Sequence, residues 1–557
     1  LDAASATPAT EEEVTRARTA LLKNIELNLA NSERSAFALT EWAALGDWRL
    51  VFLHRDRLEK VTPADVQRVA AAYLKPSNRT AGVFIPTEKP DRANVPLVAS
   101  VEQMVANYTG RAVVQAGEAF DASPANIQSR TSRVALPNGM QLTLLPKKTR
   151  GGSVYAQMVL RYGDLSSLMN KAVVSGLAAA MLSRGTVALT RQQFKDSVDK
   201  LKARVTVTGG GNNVVTNIET TRDRLPAVLA LVASELRSPR FDSTEFEKLK
   251  QEQLAALEQA RSEPQTKAFI AIQQRMAPFP KGHPLHVSSP EEDISEITAT
   301  TLDQVRQFHR DYFGAAYADL AVVGDVSADS ITAAARTLFG DWKNPRPFAR
   351  LVRSAPVIDS ATVVIETPDK ANAFLVAAQN LAVRDDDPDY PALALANFML
   401  GGGFLNSRLA VRLRQQEGIS YFVGTQLQVA SLDRAGTEFQ IAIYNPQNVD
   451  RLVAGMWDEL NKIRTTGFTA AEVAAAKPGL LQQRLQSRAS DQELVGTLIQ
   501  RRFAGRTMAY DTSYESAIAA LTVDQVNAAV KKYFDPAKIS IVRAGDFKGK
   551  PAVKVMP

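Results

Sequence analysis

VTPADVQRVAAAYLKPSNRTAGVF (residues 61–84) reads as the end of a folded unit: a capped helix opened by an acid, a Pro-Ser-Asn turn, then an apolar strand. The same phrase recurs as ITATTLDQVRQFHRDYFGAAYADLAVVGD (297–325) and as LTVDQVNAAVKKYFDPAKISIVRAGD (521–546). In each copy a threonine (Thr62, Thr298, Thr522) is placed to cap the helix, and an aspartate (Asp65, Asp303, Asp524) lies on the first turn, where the helix dipole favours negative charge. Tyr73, Tyr312 and Tyr533 end the apolar stripes, and Pro76 and Pro536 forbid continuation of the helix.

The segments before the three endings also match. ATEEEVTRARTALLKNIELNLANSE (9–33), DSTEFEKLKQEQLAALEQARSEP (242–264) and TAAEVAAAKPGLLQQRLQSRASD (469–491) are long amphipathic helices that start after Ser or Thr and carry early acids. The copies lie roughly 225 to 235 residues apart, far beyond a solenoid period and the size of a duplicated domain. The first copy has only its closing portion, so the chain is expected to begin inside a domain, with Leu1 at a processed or fragmentary start.

Composition narrows the function. The chain has 557 residues, 45% hydrophobic and 22% charged, as in globular proteins. The longest small apolar run, AVVSGLAAAMLS (172–183), is too short for a membrane span. A net charge of +7 without a basic block interleaved with aromatics gives no nucleic-acid signature. Having no cysteine removes thiolate metal sites, disulfides and thiol nucleophiles, which suits a bacterial envelope protein.

A complete unit opens with SRVALPNGMQLTLLPKK (132–148), where Pro137-Asn138-Gly139 turns between two alternating strands. It continues through a strand (154–163), a small-residue helix ending at Gly185, a helix (190–202), the hairpin ARVTVTGGGNNVVTNIET and further helices. The last unit repeats that order, with a helix NSRLAVRLRQQEG holding Leu409 and Leu413 one turn apart and a hairpin from Ile419. Hairpins keep the strands largely antiparallel, so the class is α+β with duplicated domains whose sheets are flanked by helices. The boundaries are 1–88 for the tail of a preceding domain, 89–130 for a linker rich in Pro, Ala, Asn and Ser, then domains at 131–350 and 355–557.

The closing phrase, LGGGFLNSRLAVRLRQQEGISYFVGTQ (400–426) and FPKGHPLH…AVVGDV (279–326) resemble the insulinase/pitrilysin family of inverted-motif zinc peptidases, which includes processing-peptidase subunits and inactive partners. The resemblance implies half of a clamshell metallopeptidase: the truncated first unit corresponds to the family's second domain, and the two complete units to its third and fourth. In such relatives the zinc motif sits on the small-residue helix just before a Met-Leu-x-x-Gly-Thr ending. Here that helix reads GLAAAMLSRGT (176–186) and places Gly176, Ala179 and Ala180 where His, Glu and His would stand. None is a metal ligand or a base. Glu258, near the third-ligand position, reads as a helix-surface acid. The four histidines, His54, His283, His286 and His309, form no inverted motif. The loop pair His283-Pro-Leu-His286 reads as structural, because proline prevents helical presentation.

Arg414 and Tyr421 form the strongest constellation. Gly418 is a candidate left-handed cap between them, and the chain reversal there brings a guanidinium and a phenol to one mouth, suited to a peptide carbonyl or a developing oxyanion. The bland reading pairs Arg414 with Glu417 and packs Tyr421 in a strand; the resemblance favours substrate contact. Gly401, Gly402 and Gly403 read as a close approach for substrate backbone or as a plain turn. Gly209-Gly210-Gly211-Asn212-Asn213 reads as a hairpin loop, and Asp385, Asp386, Asp387 and Asp389 as charge at a helix N-terminus.

These readings imply the zinc-lacking carboxyl-terminal half of a metalloendopeptidase. This chain binds no metal itself and works with a zinc-bearing amino-terminal half or subunit on peptide substrates, in a periplasmic setting. The alternative is a non-catalytic structural or peptide-binding subunit of a larger complex.

Overall fold

The computed structural model describes residues 7–74, 101–109 and 116–548. The Pro76 turn, the strand expected at 80–84 and much of the 89–130 linker lie outside those residues. Within the described part of the linker the chain forms short helices Val101–Val105 and Pro124–Arg130.

Two sheets carry the architecture. The first contains β1 (Ser132–Ala135), β2 (Gln141–Pro146), β3 (Ser153–Arg161), β4 (Arg204–Gly210), β5 (Asn213–Thr221) and β6 (Asp319–Gly324), in the order β1-β2-β6-β3-β5-β4. The second contains β7 (Thr362–Glu366), β8 (Ala373–Leu381), β9 (Ser420–Val429), β10 (Gly436–Tyr444) and β11 (Ser540–Gly545), in the order β7-β11-β8-β10-β9. Only β2/β6 and β7/β11 are parallel; every other pair is antiparallel, as the hairpins require. The strand that ends each repeated phrase, β6 or β11, is inserted beside the opening strands of its unit, so the two ends of a unit are held in one hydrogen-bond ladder. The Asn138-Gly139 turn needs its glycine: φ is 103°, and a Cβ would stand 2.5 Å from the Ala316 carbonyl oxygen.

The repeated helices are Pro63–Tyr73, Leu302–Tyr312 and Val523–Tyr533, each opened by a reciprocal capping box. Thr62 and Thr522 are the caps expected, but Thr298 is not. It lies inside the preceding helix Pro290–Ala299, where its hydroxyl donates to the Ile294 carbonyl oxygen, and Thr301 caps in its place. The equivalent phrases are Thr301-Leu-Asp-Gln and Thr522-Val-Asp-Gln, in which the glutamine side chain accepts from the capping residue's N–H.

One face of the first sheet packs on helices Ala172–Leu182, Leu225–Arg237, Leu302–Tyr312 and Ala328–Phe339. One face of the second packs on Tyr390–Asn397, Val449–Thr465 and Val523–Tyr533. The opposite faces are covered by exchange. Helix Asp491–Phe503, from the last unit, lays Leu494, Val495, Leu498 and Ile499 on Leu145, Tyr155, Val159, Ala321 and Val323 of the first sheet. Helix Pro264–Met276, from the preceding unit, lays Ala268, Ile272 and Met276 on Phe374, Val376, Ala378 and Val542 of the second. Polar anchors fix both helices. Arg502 and Arg161 share the buried Asp319 carboxylate, while Arg275 donates to Ser540 Oγ at 2.7 Å and Asn380 Nδ2 donates to the Met276 carbonyl at 2.7 Å. The amino-terminal helices attach to the first unit by ion pairs Arg16–Asp196 (3.0 Å), Lys23–Asp199 (2.5 Å) and Arg34–Glu219.

Leu498→Ala should therefore weaken the first sheet although residue 498 belongs to the last unit. The expected loss is about 2–4 kcal/mol in chemical denaturation, and an unchanged midpoint would show that the exchanged helix does not hold the sheet.

Glu438 on β10 is fully buried with one carboxylate oxygen unpartnered, and burial pushes its carboxyl up to about 8, with Gln440 opposing weakly. The folded chain thus keeps a proton that the unfolded chain releases near 4.5, so this group's contribution to stability is full below that pH and is lost as pH rises through about 8. Glu438→Gln should melt close to the parent at pH 4 and above it at pH 9. Parallel melting-temperature profiles across that range would contradict the assignment.

Candidate functional site

The candidate site is built where a helix loosens beside an edge strand. Helix Tyr390–Asn397 continues into a π-turn, Phe398–Gly402, closed by the Gly403 N–H donating to the Phe398 carbonyl at 2.7 Å. Gly401 lets this turn lie against β9: a Cβ there would stand 2.5 Å from the Thr425 nitrogen. The geometry thus gives Gly401 a packing role, and Gly402, next to it, is exposed. Phe404 follows in the left-handed region at φ 54°, 60% exposed, and the Ser407 hydroxyl donates to its carbonyl at 2.7 Å. A bulky side chain at positive φ is strained, and such strain collects at sites of function.

The next segment, Ala410–Gln416, is also π-helical, with the Glu417 N–H donating to the Arg412 carbonyl at 2.9 Å. Leu409 and Leu413 are buried as their spacing predicts. Gly418 adopts φ 63° with open space around its Cα, the left-handed reversal expected of it. β9 then begins at Ser420, which brings Tyr421 back beside the helix end.

Glu417 does not pair with Arg414. Its carboxylate is taken by Arg412 at 2.9 Å and approached by Arg451 at 3.7 Å, and Arg412 also holds Asp458 and Glu459. The Arg412 guanidinium is consequently held in its charged form, by Glu417 above all. Among the described residues Arg414 has no ion pair or hydrogen bond. Its guanidinium carbon lies 5.8 Å from the Phe404 ring centroid and 5.6 Å from that of Tyr421, within cation–π range of both. Tyr421 is 79% exposed. The structure therefore brings Arg414 and Tyr421 together and adds Phe404, which sequence reasoning missed; an aromatic placed directly after three glycines was the available signal. An always-charged five-donor fork beside a phenol can hold a carbonyl or carboxylate oxygen.

The other candidates resolve differently. Gly176, Ala179 and Ala180 lie on helix Ala172–Leu182 and offer no donor, so these positions do not fit a metal. Glu258 is exposed and paired with Arg261 at 2.9 Å. His283 stacks on Phe279 at 4.3 Å and accepts from the Leu285 N–H, while His286 bonds the Phe279 carbonyl at 2.8 Å and Glu292 at 3.1 Å, so both shape a loop. Among the described residues no group of three or more His, Cys, Asp or Glu is arranged to hold a metal ion. Asp385, Asp386, Asp387 and Asp389 are each matched to a cation, respectively Arg506, Arg384, Arg434 and Lys532, rather than to the helix amides. Gly211-Asn212 is a hairpin turn between β4 and β5.

Duplicated α+β units and a small-residue helix without metal donors are what the resemblance to the inverted-motif metallopeptidases implied. Residues 299–480 match the family model described as the peptidase M16 inactive domain, and the chain carries a domain of that family. A "probable inactive metalloprotease", YmfF of Bacillus subtilis (strain 168), is 21% identical over 36% of this chain, and the match spans 46% of that relative's length. The crystal structure of a peptidase M16 inactive domain from Pseudomonas fluorescens superposes with a TM-score of 0.67 at 23% identity, covering 77% of this chain and 99% of that one. The periplasmic protease PqqL from Escherichia coli superposes with a TM-score of 0.62 at 16% identity, covering 95% of this chain and 63% of that one. At such identities the two structures establish a shared fold. Among the described residues no helix is long and apolar enough to cross a membrane.

Phe404→Gly should relieve the left-handed strain and raise stability by about 1 kcal/mol. A clear loss in denaturant midpoint would show that packing, not site geometry, holds Phe404.

Proposed function

We propose that this chain is the non-catalytic half of a peptide-hydrolysing assembly, in which units 131–350 and 355–557 close against a zinc-bearing half and Arg414 and Tyr421 contact the peptide there. The observation that carries this reading is the unpaired Arg414 guanidinium, held between two exposed aromatic rings at the end of a strained turn. Free arginines near acidic side chains normally find them; here Arg412 has taken the nearby carboxylates and leaves Arg414 its full donor capacity. Gly402 and Gly403 border the mouth and allow peptide backbone to approach. Zinc, when held by the partner half, supplies the activated water; this chain's residues bind and orient a carbonyl and add donors to its developing negative charge.

The amino-terminal helices favour a partner of the same type. Helix Ser32–Ala44 follows Glu11–Ala30 as the two exchanged helices follow Ser243–Ala260 and Ala470–Ala489. Its corresponding face, Ala36, Thr40 and Ala43 beside Phe37, is exposed, whereas both counterparts are buried on a sheet. A sheet from the zinc-bearing half would cover it. A bacterial envelope location is part of the proposal and accords with the periplasmic protease of like fold.

A second reading, a peptide-binding or structural subunit without hydrolysis, is favoured by the inactive designation of the B. subtilis relative. The discriminating experiment uses the chain isolated with its native partner. Arg414→Ala combined with Tyr421→Phe should lower kcat by about 100-fold while zinc content and the stoichiometry of the assembly stay constant. Full peptide turnover by that variant would remove the proposed contact, and a zinc-free assembly would select the second reading.

A further inference from the structure

We propose that Arg543 and Tyr444 form a binding site for one carboxylate group beside an uncovered flank of the second sheet. The site is separate from Arg414 and Tyr421 and does not rest on the function proposed for them.

Arg543 lies on β11 with 4% of its surface exposed, and among the described residues its guanidinium has no ion pair and no hydrogen bond. The Phe547 ring is its aromatic neighbour, with the centroid 5.6 Å from the guanidinium carbon. The strand registers put Arg543 beside Leu375 of β8, and Leu375 beside Ala442 of β10. Arg543 therefore shares the helix-packed face with Tyr444, two residues further along β10. Tyr444 is 2% exposed, and its hydroxyl is also without a partner among the described residues. Burial keeps that hydroxyl protonated against the opposing charge of Arg543, so it remains a donor. Two buried donors, one of them permanently charged, are costly to leave unmet.

The first unit has no such pair. The same registers place Val322 of β6 beside Ala156 and Leu144, and Thr220 of β5 where Tyr444 stands. Val322 and Leu144 are fully buried in a core that includes Ile331, Ala335 and Phe339 of helix Ala328–Phe339, and the Thr220 hydroxyl donates to the Leu201 carbonyl at 3.4 Å. In the second unit Val364 of β7, the register partner of Arg543, is 41% exposed, and among the described residues no helix follows β11 to cover it. Arginine thus stands where the first unit has a core valine, next to an open flank.

The donors set the ligand. A guanidinium fork matches the two oxygens of a planar carboxylate, and the phenol adds a third donor. One positive charge meets one negative charge. A phosphate dianion fits less well: Glu366 lies on the same face of β7 two residues beyond Val364, and Asp450 acts on Tyr444 from the start of helix Val449–Thr465. Glu366 is itself committed to the Phe547 N–H, which donates to its carboxylate at 3.1 Å.

The test is the melting temperature of the full chain at pH 7 in sodium acetate against sodium chloride at equal ionic strength. Acetate at about 100 mM should raise it by at least about 2 °C, and the Arg414→Ala/Tyr421→Phe chain should respond alike. Arg543→Met should melt at or above the parent in chloride, because it removes an unpaired buried charge, and should not respond to acetate. Arg543→Lys, which keeps the charge without the fork, and Tyr444→Phe should each need about tenfold more acetate for the same shift. N-acetylglycine and its amide separate the sources. A larger shift from the acid than from acetate marks the end of a peptide chain, the reverse marks a free small carboxylate, and the amide should be inert. No shift with acetate or N-acetylglycine, an equal shift in Arg543→Met, or a larger shift with phosphate would overturn the proposal. So would Arg543→Met and Glu366→Gln each melting well below the parent in chloride, which would show that the two side chains already satisfy each other.

Discussion

A β-sheet has two faces, and the structure depends on how each sheet here covers its second one. Both draw the cover from the other's unit: Leu494, Val495, Leu498 and Ile499 travel from the last unit to the first sheet, and Ala268, Ile272 and Met276 travel the opposite way. Neither sheet can keep both faces dry alone, since each lacks the helix that its own sequence supplies to its neighbour. Burial of four aliphatic side chains on one face is worth several kcal/mol, about 1.5–3 for each, which is comparable to the net stability of a domain. The shared Asp319 carboxylate strengthens the coupling, because a buried charge stranded by withdrawal of Arg502 would keep only Arg161. The pair of units is one cooperative body for this reason.

Much of this was legible in the chain. The capping phrases at Thr62 and Thr522 declare where these helices start, because a threonine followed by Asp or Gln at the third helical position satisfies amides that only a helix start leaves free. The hairpin turns at Gly139 and at Gly211 fix antiparallel pairing. The exchange was not legible: an amphipathic helix such as Asp491–Phe503 states that one face will be buried but not on which sheet. The Thr298 expectation was avoidable from spacing, since Thr301-Leu-Asp-Gln matches Thr522-Val-Asp-Gln position for position whereas Thr298 lies five residues before the acid, and the extent of helix Pro290–Ala299 confirms the choice.

At the candidate site the sequence named the pair Arg414 and Tyr421 but not the reason for their freedom. With α-helical spacing Glu417 would lie one turn from Arg414. The π-turns shift the ladder, so Glu417 closes back on Arg412, whose guanidinium is also drawn by Asp458 and Glu459 from helix Val449–Thr465. Three carboxylates on one guanidinium leave the second arginine to the aromatic rings. Competition among long-range partners is invisible to local spacing, and here it separates a structural arginine from an available one.

The small residues on helix Ala172–Leu182 show why the missing metal set is built into the packing. Ala179 is 1% exposed and lies under β4 so closely that a Cβ added to Gly209 would meet the Ala179 Cβ at 2.9 Å. A glutamate at 179 would have to displace that strand, whereas position 176 opens on free space. Position 176 is thus open, while position 179 is closed by the packing of β4. Placing the side chains of an inverted motif on this helix would therefore require β4 to move away at position 179 as well as changes at 176, 179 and 180.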